Sequence, residues 1–205
     1  FTRVVSSLGT ITFAAHQVAM NILGLTFMPG QAFATAATTL VGQYLGAERP
    51  DDAERCANTS RNMAMLVGVF TTFVFVFFGK YIACLYTNET AVVLVSALVL
   101  KIYAFAQPAQ STQFVLAGGL RGAGDTTYPL YSTAAGVWIG RVLLGWFLVN
   151  VLHLGLPGAW LGITIDQFVR AILIYLRFRT GRWKSIRVWG EEGAQRKLAS
   201  AETTE

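Results

Sequence analysis

The chain has 205 residues, of which 54% are hydrophobic and 13% charged, with sixteen Lys and Arg against eleven Asp and Glu. A soluble domain carries roughly a quarter of charged residues, so this composition excludes a disordered chain and argues against an ordinary soluble domain. The apolar residues are gathered into long runs separated by short charged stretches, the layout of a polytopic membrane protein.

The chain opens on Phe1 inside an apolar stretch, with no basic start and no small-residue cleavage site, which reads as a cut within a larger protein. Residues 1–11 read as the outer end of a preceding span. The first full run extends from Ala14 to Leu45 and holds Pro29 beside Gly30. Proline removes a backbone hydrogen bond, so a bent or tilted helix is expected there. The second run, Asn62 to Tyr86, is dense in Phe and Val. The third, Ala91 to Gly119, is interrupted by Pro108; the fourth is Tyr128 to Val151 and the fifth Pro157 to Phe178. Each has the ~20 residues that a bilayer core requires. The fold class predicted is all-α: a polytopic membrane helical bundle with five complete transmembrane spans plus the end of a sixth. Residues 1–184 form this lobe, and 185–205, with mixed charges and no apolar period, read as a solvated, disordered tail. Trp183 among basic neighbours suits an interfacial anchor for the last helix.

The connections are short, so neighbouring spans run antiparallel. One set of ends collects Arg49, Arg55, Arg61, Arg121, Arg177, Arg179, Arg182, Lys184, Arg187, Arg196 and Lys197; the opposite ends hold Arg3 and Lys80. That asymmetry places the first set, and the C-terminus, in the cytoplasm. The net charge of +5 is then mostly topology, and nucleic-acid binding loses its support. Cys56 and Cys84 have no metal-ligand spacing and read as packing residues or free thiols.

Polar groups at membrane depth are costly without partners. Gln17, Asn21, Gly24 and Met28 lie at i, i+4, i+7 and i+11 and share one helix face, with His16 just off it. Two readings stand: interhelical hydrogen bonding with glycine for close approach, or a polar strip on a water-filled cavity. A lone His16 makes no metal site. Gln107, Gln110 and Ser111 surround Pro108, and Phe114 lies one turn beyond Gln110. Proline frees a backbone carbonyl, which nearby amides or a ligand can use, so these residues read either as part of a kink or as cavity lining. Arg141 lies roughly 20 Å and Asp166 roughly 16 to 18 Å from the basic end of their spans. They can therefore pair, and Arg170 shares the face of Asp166 at i+4. The trio is either a neutralised structural network or a site where Asp166 meets a cation.

No catalytic set is present: no paired carboxylates, zinc motif or serine–histidine arrangement, so the chain reads as no enzyme, with no cofactor and no metal. Gly118, Gly119, Gly122 and Gly124 around Arg121 lack the lysine and hydroxyl of a phosphate loop and fit a tight helix-end turn instead.

Ala14-Ala15-His16-Gln17-Val18-Ala19, Leu40-Val41-Gly42-Gln43-Tyr44-Leu45-Gly46-Ala47 and Gly119-Leu120-Arg121-Gly122-Ala123-Gly124-Asp125-Thr126 resemble, in order, motifs of the multidrug and toxic compound extrusion (MATE) transporters. Gly158-Ala159-Trp160, Asp166, Arg170 and Gly181-Arg182-Trp183 are similar to that family's last helix. The resemblance covers about residues 1–187. It implies half of a twelve-span fold: the C-terminal lobe, from the end of span seven through span twelve. It further implies a secondary antiporter in a bacterial inner membrane, exporting cationic amphipathic compounds in exchange for sodium or protons by alternating access. The partners implied are the small-molecule cationic substrate, the lipid bilayer and an N-terminal lobe of the same chain. Gln17, Asn21, Met28, Gln107, Gln110 and Phe114 are the substrate-cavity candidates, with Phe33 as a further stacking surface. Arg141, Asp166 and Arg170 are the intramembrane charge network. The tenth-span acid of sodium-coupled members falls at Gln110 by ungapped count, so the coupling ion stays open. The alternatives are a lipid-linked oligosaccharide flippase of the same superfamily, which wants a cationic cavity, and a non-catalytic structural membrane fragment.

Overall fold

A computed structural model describes residues 9–151 and 154–186. The described residues form helices and short turns, with no strand among them. Helix α1 spans Thr10–Gly46 and starts after Gly9, whose φ of 104° only glycine adopts freely. Residues 10 and 11 thus belong to α1, which corrects their assignment to a preceding span; residues 1–8 lie outside the described residues. Pro29 sits inside α1 without ending it. Helix α2, Pro50–Cys84, begins well before Asn62. Pro50 takes the first turn, where a missing N–H costs nothing, and Asp51 and Asp52 meet the positive end of the helix dipole. Cys56 and Cys84 lie near opposite ends of this helix, about 40 Å apart at helical rise, beyond any mutual disulfide.

Helices α3 (Thr90–Ala104) and α4 (Gln107–Gly122) form one span bent by 54°. The break follows from Pro108, which offers no N–H to the carbonyl of Ala104. Thr72 of α2 supplies the donor instead, its hydroxyl reaching Ala104 O at 2.7 Å. The next span runs as α5 (Thr127–Ala135), a π-helical segment (Gly136–Leu144) and α6 (Gly145–Asn150). Helix α7 spans Gly155–Arg179, and a 3₁₀ turn, Arg182–Ser185, closes the described chain. Four helices are long and apolar enough to cross a membrane, and a fifth when α3 and α4 count as one span.

Helix α4 lies at the centre, against α1, α2 and α7, while the π segment packs on α7. Small residues permit the closest approaches. A Cβ on Gly118 or Gly122 of α4 would collide with the α1 backbone at Ala34 or Thr38, and Thr38 Oγ1 donates to Gly118 O at 2.9 Å across that seam. One core, around Ala19, Phe75, Leu100, Tyr103 and Trp160, fills one end of the bundle. Another, around Val41, Leu116, Leu120, Ile174, Phe178 and Trp183, fills the other. The outer face of α2 exposes Leu66, Phe70, Phe73, Phe77 and Phe78, each more than half exposed, an apolar surface that suits lipid and not water.

Candidate functional site

Helix α1 buries Ala15, Ala19, Ile22, Ala34, Ala37 and Val41 against its neighbours. Gln17, Asn21, Gly24 and Met28 lie on the opposite, exposed side. The same stripe continues past Pro29 through Gln31, Thr35 and Thr39, all exposed. These last three were missed in the sequence, although the i+3/i+4 spacing that marks the stripe extends to them. The strip therefore faces away from this bundle over most of the helix. His16 is buried instead, its ring edge-on to Trp160 with centroids 5.6 Å apart.

The α3–α4 break carries the second polar group. Gln107 and Gln110 are buried inside the bundle and do not share the exposed face of α1. Tyr103 joins them to α7: its hydroxyl donates to Gln110 Oε1 at 3.2 Å and accepts from Gln167 Nε2 at 2.9 Å. Gln107 Nε2 reaches Thr26 Oγ1 of α1 at 3.4 Å. Gln110 Nε2, Gln113 Oε1 and Gln167 Oε1 are buried without hydrogen-bond partners. Phe114 is half-buried against Phe27, with ring centroids 5.5 Å apart, and Phe33 is half-buried beside Val115. Tyr103 and Gln167 had no sequence signal, because a single tyrosine or glutamine in an apolar run does not announce its partner.

The third group is the charge trio. Asp166 is fully buried; Arg170 Nη2 lies 2.5 Å from Asp166 Oδ2 and Arg141 Nη2 lies 3.7 Å from the same oxygen. The Arg170 side chain is 10% exposed, whereas that of Arg141 is 34% exposed. Glycines of the π segment make room for this arrangement. A Cβ on Gly136 would strike the Asp166 carboxylate, and one on Gly140 would stand 2.8 Å from Asp166 Cβ. Gly136 and Gly140 were missed in the sequence, although their i, i+4 spacing is that of a small-residue seam. Among the described residues, no three of His, Cys, Asp and Glu gather closely enough to hold a metal ion.

The basic end of the bundle is tied by further pairs. Buried Asp125 accepts from Arg177 Nε at 2.7 Å, and that guanidinium lies 5.2 Å from the centre of the Tyr128 ring. Lys184 bonds Glu54 at 2.6 Å and Asp51 at 3.0 Å, which holds its ammonium above the ordinary lysine pKa. Trp183 is no interfacial anchor: it is fully buried, stacks on Phe178 and donates Nε1–H to Phe178 O at 2.8 Å. Gly181, at φ 67°, turns the chain back and carries the indole inward. Of the expected 185–205 tail, Ser185 closes the 3₁₀ turn and Ile186 packs on the same core; residues 187–205 lie outside the described residues.

A family model described as MatE matches residues 1–147. A probable multidrug resistance protein NorM of Thermotoga maritima is 28% identical over 184 residues, 90% of this chain and 40% of its own. The multidrug resistance protein MdtK of Yersinia enterocolitica is 33% identical over 180 residues, 86% of this chain and 39% of its own. Among solved structures, the outward-facing conformation of a multidrug resistance MATE family transporter of the MOP superfamily matches with a TM-score of 0.83 at 17% identity, over 91% of this chain and 42% of that one. The eukaryotic MATE transporter AtDTX14 matches with a TM-score of 0.79 at 21% identity, over 85% of this chain and 39% of that one. The chain spans about 40% of the length of the curated relatives it matches.

Proposed function

The chain belongs to the MatE family, and on that premise we propose that it forms one lobe of a secondary antiporter exporting small amphipathic compounds, with cationic ones as the expected class. A second lobe of the same protein closes the transport cavity against α1. The exchange runs on sodium or protons by alternating access between the lobes. The membrane is a bacterial inner membrane, with the basic end in the cytoplasm.

One observation carries this reading: the exposed polar stripe of Gln17, Asn21, Gln31 and Thr35 on a membrane-crossing helix. Amide groups facing hydrocarbon are costly, so this face meets water, ligand or protein. The relatives' names, multidrug resistance proteins, agree with a ligand. Met28, 69% exposed in the middle of the stripe, adds a polarisable surface for planar molecules. Gln107 and Phe114 stand behind α1, against Thr26 and Phe27, with Gln110 beside them as a second layer.

The test is efflux of a fluorescent organic cation from vesicles containing the full-length protein. Gln17→Leu with Asn21→Leu is expected to slow efflux about tenfold or more, the scale of losing a charge-assisted contact, without lowering the melting temperature. Efflux at the wild-type rate would remove the stripe from the transport path. Running the assay under a sodium gradient and then under a proton gradient identifies the ion.

A further inference from the structure

Three glutamines are sealed inside the bundle beside the break between α3 and α4. Gln110, Gln113 and Gln167 are each exposed by 5% or less. Gln110 and Gln113 share one side of α4 at i and i+3, and Ala117 and Leu120 continue that side into the core with Ile174 and Phe178 of α7. Gln167 stands across this seam, two turns before Ile174, and meets Gln110 through the Tyr103 hydroxyl. With those bonds made, one amide nitrogen and two amide oxygens remain: Gln110 Nε2, Gln113 Oε1 and Gln167 Oε1. Gln167 lies about 18 Å from either end of α7 at helical rise, so bulk water is far away. The chain's own atoms already close over these three, so a second lobe does not reach them. The other buried atoms without hydrogen bonds have different surroundings: Arg141 Nε, Arg170 Nε and Asp166 Oδ1 belong to an ion-paired trio, and Trp160 Nε1 is a single donor.

We propose that these three amides bind a water molecule inside the lobe, at a site that ties α4 to α7 alongside the Tyr103 bridge. A buried water typically makes about three hydrogen bonds. Here it accepts one from Gln110 Nε2 and donates one each to Gln113 Oε1 and Gln167 Oε1, which uses both of its hydrogens and satisfies all three groups. Without it, each amide atom carries an uncompensated desolvation cost in a region that hydrocarbon surrounds. A monovalent cation fits less well: Gln110 contributes an N–H to the site, and the neighbouring Asp166, Arg141 and Arg170 sum to one positive charge. The bend explains why the site lies here. Tyr103 and Gln110, seven residues apart and on either side of the 54° break, meet hydroxyl to amide. The water carries that contact one turn further along α4, to Gln113. The site belongs to the packing of the lobe and is independent of the transport reading.

The test is X-ray radiolysis of the purified full-length protein in nanodiscs, in which hydroxyl radicals formed from bound water label the side chains beside it. Tyr103, 1% exposed, is the reporter, and Phe75, 2% exposed within the apolar core, is the dry control. Tyr103 is expected to take label in the wild-type protein and Phe75 to take none. Gln113→Leu keeps both Tyr103 hydrogen bonds and removes one acceptor, so it is expected to lower the Tyr103 rate about fivefold, the scale of one lost hydrogen bond. Tyr103 left unlabelled in the wild type overturns the proposal, because the amides then bond one another directly; this comparison needs no variant. A Tyr103 rate unchanged by Gln113→Leu overturns it too, by placing the water elsewhere. Labelling suppressed by added sodium chloride and not by choline chloride also overturns it, since an ion then takes the place of the water. The transporter reading is left standing by each of these outcomes and is decided by the efflux assay.

Discussion

The hydroxyl of Thr72 donates to the carbonyl oxygen of Ala104 at 2.7 Å, across the seam between α2 and the kink of the α3–α4 span. Ala104 is the residue four before Pro108, so this is the carbonyl that the proline leaves without its helical donor. Thr72→Val is therefore expected to destabilise the protein by about 1–3 kcal/mol, the cost of a buried unsatisfied acceptor, while Thr72→Ser stays near wild type. Pro108→Ala restores an N–H at that position, so it is expected to reduce the cost of Thr72→Val. A double-mutant cycle on melting temperatures of the purified full-length protein checks this coupling; strictly additive effects would show that the hydroxyl serves another purpose.

The α1–α4 seam gives a second expectation. Gly122 meets Thr38 so closely that a Cβ would collide with backbone, which no rotamer change relieves. Gly122→Ala is expected to cost about 1–3 kcal/mol by forcing the two helices apart. Gly24→Ala, on the exposed face of the same α1 with open space around it, is expected to be neutral or slightly stabilising, since alanine favours helix. Thermal unfolding monitored by fluorescence separates the two; similar behaviour would mean that the seam adapts.

Sequence alone carried the helical fold, because long apolar runs allow few structures in a bilayer. It also carried the bend, because Pro108 falls in mid-run, and the possible pairing of Arg141 with Asp166, because depth along antiparallel helices follows from residue counts. What it could not carry is rotation. Whether Gln110 points outward or inward depends on a 54° bend and on Tyr103, whose partners Gln110 and Gln167 come from different helices. Trp183 next to Arg182 and Lys184 carries the pattern of an interfacial anchor, but one glycine at φ 67° reverses the chain and buries the ring. The π segment was equally illegible, because its residues have the same apolar pattern as an α-helix.

Lys184 clasps the C-terminal turn to the start of α2, with its ammonium bonded first to Glu54 and then to Asp51. Its pKa is raised in the folded state, so the clasp contributes fully below the ordinary lysine value and is lost as pH rises through the raised one. Lys184→Met is expected to cost about 0.2–1 kcal/mol at neutral pH, as partly exposed ion pairs do, and less in high salt. The difference in melting temperature between variant and wild type should shrink only above pH 10.5. A difference that vanishes between pH 6 and pH 8 would assign the effect to another group (the window being roughly that of histidine).

The trio at mid-membrane should respond to substitution in a definite order. Asp166→Asn removes the single buried negative charge and leaves two guanidiniums facing each other, so a loss of about 3–5 kcal/mol is expected. Arg170→Met leaves Asp166 with Arg141, which is close enough at 3.7 Å to swing in and replace the lost partner, so the loss is smaller. Arg141→Gln keeps the 2.5 Å pair intact and neutral, and is expected to cost about 1 kcal/mol or less. Expression level and thermal unfolding of the three variants give the ranking. If Arg141→Gln proves as damaging as Asp166→Asn, Arg141 is a full structural partner of the acid.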